Sequence, residues 1–382
     1  MPADPVARPS LLLRLAAPFQ FFLLGTLIAT WAARIPAIRD ALALSPAQLG
    51  TVLLCGGVGA VLSFPLAAGL VARAGARRAT WLSGLALLAG LPALALAPAL
   101  GWLMAAMTVV GAAASCFDVA INAAAADAEQ AAGRSIMSHL HAWYCLGSLA
   151  GALAGSAAAG AGLTPLLHFA LTAAAMALPL LLGFIGLPHD HPDPDHPPES
   201  HRFALPHGPL IALGIIGFCG AVAEGSIADW SGIYMRDQLG SSDTVAPLAF
   251  AAFSALMLAV RLVADRLKDR FGARRIVAVG AAIASVGLFA AVLAIDTTIT
   301  IAGFAIAGAG LAGVFPFVFS AAGRHGATAL AGVATMGYSG GLIGPPVIGF
   351  VAHGVGLQAA MAVIAALSVA IAVSASRAAW LE

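Results

Sequence analysis

The tetrapeptide Gly-Ala-Arg-Arg stands at residues 75–78 and again at 272–275, an offset of 197 positions. The same offset carries Ile38-Arg39-Asp40-Ala41-Leu42 onto Met235-Arg236-Asp237-Gln238-Leu239, and Arg73 onto Arg270. One register held over about half of a 382-residue chain marks a duplicated unit. The chain is therefore expected to fold as two similar halves.

The apolar runs say what each half contains. A helix needs roughly 20 mostly apolar residues to cross the hydrocarbon of a bilayer. Cutting at charged or Pro/Gly-rich breaks leaves twelve such segments. The first six are about 15–38, 46–72, 79–98, 101–127, 138–160 and 164–187, and the second six about 208–236, 244–267, 275–295, 297–322, 329–353 and 357–378. The shortest connections fall near Pro98, Thr164, Asp296 and Gly356. Barrel strands would be about 9–11 residues long with alternating polarity, so segment length selects helices. Only 9% of the residues are charged. A soluble domain carries about 25%, so this chain lacks the polar surface to stay in water.

The predicted fold class is an all-α membrane protein of twelve transmembrane helices in two six-helix bundles related by a pseudo-two-fold axis. The bundles are expected over 1–187 and 208–382, joined by a linker over 188–207. Two homologous halves around a central cavity are a transporter's plan.

Arg8 and Arg14 precede an apolar run from about 17 to 33, too long for a signal-peptide core, which implies a retained first helix. Charge sets the orientation. One side collects Arg73, Arg77 and Arg78, then Arg266, Lys268, Arg270, Arg274 and Arg275, while the other receives only Arg34, Arg39 and Arg236. The positive-inside rule then puts both termini in the cytoplasm of a bacterial inner membrane. Trp31, Trp102 and Trp230 fall near outer segment ends and Trp81 near an inner one, as interfacial aromatics do.

Several function classes fall away. A net charge of +1 points to no nucleic-acid or polyanion partner. Cys55, Cys116, Cys145 and Cys219 all sit in apolar segments and read as small buried residues, with neither disulfide nor zinc spacing. The linker is rich in Pro, His and acids, and reads as an extended connector whose histidines are either a polar tract or metal ligands. No phosphate-binding loop and no nucleophile–base arrangement is present, so no enzyme and no cofactor is expected.

The second copy of the repeat reads Asp265-Arg266-Leu267-Lys268-Asp269-Arg270-Phe271-Gly272-Ala273-Arg274-Arg275 and lies between segments eight and nine. It resembles the signature loop of the major facilitator superfamily, an acid-arginine-x-glycine-x-basic pattern, at the right loop in both halves. The resemblance implies that fold, and a cytoplasmic latch that holds the halves together when the protein opens outward. Asp269, Arg270, Gly272, Arg274 and Arg275 would form it, with Gly75, Arg77 and Arg78 in the first copy. There Ala72 replaces the acid, so that copy of the latch lacks its carboxylate. Segment four has no arginine between Met104 and Ala126, and segment five has Gly147, Gly151 and Gly155 but no proline, which counts against multidrug antiport. The runs Asp118-Val119-Ala120-Ile121-Asn122, Leu140-His141-Ala142-Trp143 and 224–231 look like a sugar-permease branch related to the fucose permeases.

Ionisable groups inside a membrane helix cost at least about 2.5–3.5 kcal/mol by insertion scales and mark function by default. Asp118 lies past the middle of segment four, with Asn122 at i+4 on the same face. Glu224 lies near the middle of segment seven, and Asp229 follows five residues further out. Buried carboxylates resist ionisation, so Asp118 or Glu224 is expected to couple proton movement to solute movement. Arg34 is expected either to clamp a solute, to pair with Asp229, or to snorkel. His141 and Trp143 suit a sugar, whose hydroxyls need hydrogen bonds and whose apolar face packs on aromatics. Trp230 joins this set of candidates. Arg261 and Asp265, spaced i, i+4, read as a local ion pair of the latch.

The function expected is proton-coupled transport of a small polar solute, a sugar or polyol, by a monomer in the lipid bilayer. An exporter of metabolites or drugs, or a non-transporting sensor on the same scaffold, are the alternatives.

Overall fold

The computed structural model describes residues 11–132, 137–187, 206–208 and 210–381, all in helices and short turns. The His/Pro-rich stretch at 188–205 lies outside the described residues, as do Arg8, Arg134 and Arg202. In the first half α1 (Leu11–Ala41), α2 (Pro46–Ala95), α3 (Leu100–Ala132), α4 (Met137–Gly160) and α5 (Pro165–Gly186) follow one another. The second half runs α6 (Leu210–Leu239), α7 (Leu248–Arg261), α8 (Ala264–Phe271), α9 (Ala273–Leu293), α10 (Thr297–Leu311), α11 (Val314–Gly323), α12 (Ala327–Val355) and α13 (Leu357–Arg377).

Eight helical stretches are long and apolar enough to cross a membrane, and a ninth if α7 and α8 form one span bent by 56°. Helix α2, at 50 residues and about 1.5 Å per residue, is long enough for two spans. Helices α4 and α12, with 24 and 29 residues, complete twelve.

Local chemistry sets the helix boundaries. Ser45 Oγ accepts from the Gln48 amide at 3.2 Å and Gln48 Oε1 from the Ser45 amide at 2.9 Å, a capping box with Pro46 at the first helical position. Thr164 caps α5 and Asp296 caps α10, each accepting from the amide three residues on. Gly356, at φ 93°, separates α12 from α13.

The repeated glycine makes the same turn twice. Gly75 has φ 82°, ψ 162° and Gly272 has φ 80°, ψ 146°, a region nearly closed to other residues. Each breaks a long helical hairpin where the basic pair follows. Gly272→Ala is expected to lower stability by about 1–3 kcal/mol, and thermal unfolding in detergent reads it. A change below the scatter of an exposed alanine substitution contradicts the strained turn.

Within each bundle, helices meet where a side chain is missing. Gly111 of α3 packs against the Gly56 carbonyl of α2, and Gly308 of α10 against the Phe253 carbonyl of α7, two contacts related by the 197-residue offset. In α4, Gly147, Gly151 and Gly155 pack against Phe22, Thr26 and Ala33 of α1, and Thr26 Oγ1 donates to Gly147 O at 3.2 Å. The bundles touch through α2 with α12, α4 with α7, and α1 with α6.

One end of the molecule is clamped across the two halves. Arg39 of α1 holds Asp237 of α6 through Nη1–Oδ2 at 2.5 Å and Nη2–Oδ1 at 2.7 Å. Arg236 of α6 returns the contact to Asp40 at 2.7 Å and also reaches Asp243 at 3.1 Å. The repeated Arg-Asp dipeptide is thus crossed, each arginine on the other copy's aspartate. Beside it, Ser156 Oγ donates to Thr244 O at 2.6 Å, and Gly349 of α12 lies against α2, where an added Cβ would sit 2.8 Å from Gly50 Cα. We call this the ion-pair end and the opposite one, with Gly75 and Gly272, the repeat-loop end. There Asp265, Asp269, Arg270 and Arg275 are exposed, and Arg77 Nε donates at 2.5 Å to Phe184 O in its own bundle.

Trp102 is an exposed interfacial aromatic, at 67%. Trp31 and Trp230 depart from that expectation and are buried, because both sit where the halves approach.

Candidate functional site

Midway between the ends, Arg261 joins the two bundles. It closes α7, and its guanidinium donates from Nη1 to Cys145 Sγ of α4 at 2.8 Å, from Nη2 to Glu224 Oε1 of α6 at 3.3 Å, and from Nε to Ala312 O at 3.4 Å. Its side chain is 9% exposed and that of Glu224 25%. The expected Arg261–Asp265 pair is corrected here. The helix breaks at Leu262–Val263, so i, i+4 spacing no longer places the two on one face, and Asp265 is exposed on α8. Cys145 likewise is more than a small apolar filler, since it faces a cation.

Around this junction α4 contributes His141, Tyr144 and Cys145, which share a helical face at i, i+3 and i+4. His141 meets Phe21 edge-on at 5.5 Å and lies within electrostatic reach of Arg261. Tyr144 lies within reach of Glu224, Asp118 and Arg261, and Tyr338 of α12 within reach of Asp118. Asn122 Nδ2 donates to Asp118 Oδ1 at 3.1 Å and to Asp118 O at 2.8 Å, which places the two on one face as their spacing predicted. One central region therefore holds Asp118, Asn122, Glu224, Arg261, His141 and Tyr144.

Other predicted residues stand apart. Trp143 is two residues from His141, about 200° round the helix, and packs on Phe19 and Phe22 while its Nε1 donates to His139 Nε2 at 3.2 Å. The pairing of His141 and Trp143 in one cavity is thus not what the fold provides. Trp230 is fully buried and its indole donates to Pro345 O at 2.9 Å. Arg34 is buried and donates to Leu163 O at the α4–α5 turn, so it pairs with a carbonyl and not with Asp229. Asp229, about 140° round α6 from Glu224, lines a separate apolar cavity between the bundles.

Sequence reasoning missed Arg261 as a central group, together with Tyr144 and Tyr338. The available signal was an arginine on the apolar flank of segment eight, before the charged run begins.

Comparison with known proteins bears on what the scaffold is. The chain matches the family profile of the Major Facilitator Superfamily over residues 12–335 and 213–382. It is 33% identical over 378 residues to an uncharacterised MFS-type transporter of Yersinia pestis, covering 96% of each chain. Among solved structures it resembles a bacterial homologue of the human lysosomal transporter Spinster, in an inward-facing and occupied conformation, at 16% identity and TM-score 0.75, with 95% of each chain covered. It also resembles a mutant of the nucleoside transporter NupG at 15% identity and TM-score 0.74, covering 96% of this chain and all of that one.

Proposed function

The chain belongs to the major facilitator superfamily, and we propose that it carries a small polar solute, a sugar or polyol, across the bacterial cytoplasmic membrane by alternating access coupled to protons. In this reading the bundles 1–187 and 208–382 are the moving bodies of a monomer, with the linker over 188–207 as a connector. The repeat-loop end and both termini are cytoplasmic, as the excess of arginine there supports.

The observation that carries the reading is the Arg261 junction. A single buried cation is shared by Glu224 of its own bundle and Cys145 of the other. Rocking one bundle against the other changes the surroundings of that cation, so a solute or proton that alters Glu224 acts on the position of the halves. Asp118, Asn122, His141 and Tyr144 add the hydrogen-bonding groups a polyhydroxylated solute needs. With the ion-pair end shut and the repeat-loop residues exposed, this arrangement is the one open to the cytoplasm. In the opposite state Asp269, Arg270, Gly272 and Arg274 would latch the repeat-loop end.

Flux into proteoliposomes under an imposed proton gradient tests the reading, with a ligand thermal-shift screen of sugars and polyols supplying the solute. Asp118→Asn and Glu224→Gln are each expected to cut gradient-driven accumulation at least about tenfold, equivalent to 1.4 kcal/mol of coupling. Full accumulation with both carboxylates neutralised defeats the coupling.

A further inference from the structure

The two copies of the repeat differ in what lies beneath their first arginine. In the first half Arg77 of α2 stands over the Phe184 ring at 4.3 Å and donates to Phe184 O, while Trp81 packs on the same ring at 4.9 Å. The 197-residue offset carries Arg77 onto Arg274 and Trp81 onto Ala278. Phe184 and Ser376 stand at the same distance from the starts of α5 and α13, the last helix of each half. Two bulky rings in the first half thus become Ala278 and Ser376 in the second. The second half has an open cleft of about 600 Å³ at this place, with Phe271, Gly272, Arg274, Arg275, Ala278 and Ser376 in its lining.

That lining carries two guanidinium groups and, among the described residues, no carboxylate. Asp269 is exposed on α8, outside it. The first turn of α9 opens onto the cleft, and the amides of a helix start favour an anion. The cleft also runs into apolar surface. On α9, Val279, Ile283 and Val286 continue one helical stripe from Arg275 and are 51%, 47% and 69% exposed. On α13, which packs along α9, Val369 and Val373 are exposed on the face that carries Ser376. A cationic head above an apolar groove, at the start of a membrane-spanning helix, has the polarity of a phospholipid and not of a soluble anion.

We propose that this cleft binds an anionic phospholipid, with its phosphate against Arg274, Arg275 and the start of α9 and its acyl chains along the α9–α13 groove. A zwitterionic headgroup brings an ammonium for which the lining offers no carboxylate, so phosphatidylglycerol is preferred to phosphatidylcholine. The first half has no such site, because Trp81 and Phe184 fill the matching space. The proposal rests on the membrane-spanning fold and is independent of the alternating-access reading.

Native mass spectrometry of the full-length protein tests it, with dioleoyl phosphatidylglycerol or dioleoyl phosphatidylcholine added to the detergent micelles. One phosphatidylglycerol is expected to be retained in preference to phosphatidylcholine. Arg274→Gln and Arg275→Gln are each expected to weaken that retention about fivefold. Arg266→Gln, on α8 outside the cleft, should leave it unchanged. Ala278→Trp with Ser376→Phe rebuilds the rings of the first half and should abolish the preference with both arginines in place. Thermal unfolding in lipid-free detergent checks that each variant folds, and if the filled variant does not, the arginine variants decide. Equal retention of the two lipids, or phosphatidylglycerol binding unmoved by the arginine changes, overturns the proposal. Glycerol phosphate that raises the unfolding temperature as much as phosphatidylglycerol overturns it too, since the acyl chains then contribute nothing.

Discussion

Arg39→Asp is expected to spring open the ion-pair end and cut solute flux at least about tenfold, while Arg39→Asp combined with Asp237→Arg restores most of it. An isolated exposed ion pair is worth only about 0.2–1 kcal/mol, so a single contact would not justify that magnitude. Here the contact is bidentate, at 2.5 and 2.7 Å, and Arg39 is only 13% exposed. It also belongs to a network in which Arg236 serves both Asp40 and Asp243. Reversing Arg39 sets a new carboxylate against Asp40 and Asp237, replacing attraction by repulsion within the closed interface. The exchange of signs separates this pairing from a general loss of packing, because only a direct pair is rescued by the double change. Spin labels at Ala99→Cys and Thr298→Cys, exposed sites on opposite halves at the ion-pair end, read the opening by pulsed electron–electron resonance, and raised salt should widen the distance with Arg39 intact as well. A swapped variant no better than Arg39→Asp alone refutes the crossed pairing.

The largest loss of stability is expected from Arg261→Ala. Removing one partner of a buried ion pair leaves the other without compensation, at about 3–5 kcal/mol. With Glu224 a quarter exposed, the lower end of that range is the expectation. Arg261→Ala with Glu224→Gln should regain most of the stability, because no orphaned charge remains, yet should not regain flux. Thermal unfolding in detergent and proteoliposome flux read the two separately. If Arg261→Ala costs no more than Arg275→Ala, an exposed position, the junction does not hold the bundles.

The twelve spans were legible in the sequence because apolar length is a one-dimensional property. The predicted cuts at Thr164, Asp296 and Gly356 coincide with two caps and a positive-φ glycine, features written in residue type. The duplicated turn was legible for the same reason, since φ near 80° at Gly75 and Gly272 calls for glycine. Asp118 and Asn122 met as predicted because their helix is continuous between them. Arg261 was misplaced because the break after it carries neither glycine nor proline, so helical spacing was carried through a bend of 56°. His141 and Trp143 were paired by nearness in sequence, whereas two residues on a helix point almost oppositely. The repeated Arg-Asp dipeptide was visible as a repeat but carried no sign of its partner, which only the meeting of α1 and α6 supplies.

The crossed Arg-Asp pairs have a further consequence for how such a chain arises. Each arginine meets the other copy's aspartate, so residue i touches j while the mate of j touches the mate of i. That is the geometry of an isologous contact, the kind a two-fold homodimer makes with itself. A half-length chain bearing one Arg-Asp dipeptide would already form both bridges with an identical neighbour, and gene fusion would inherit the clasp complete. The repeat-loop end lacks that equivalence, with Ala72 opposite Asp269, whereas the ion-pair end keeps both crossed bridges and departs from the dyad only where Arg236 also reaches Asp243, whose counterpart is Pro46. Charge exchange within a bridged pair, Arg39 with Asp237 or Arg236 with Asp40, should therefore be tolerated more readily than a change at one position alone.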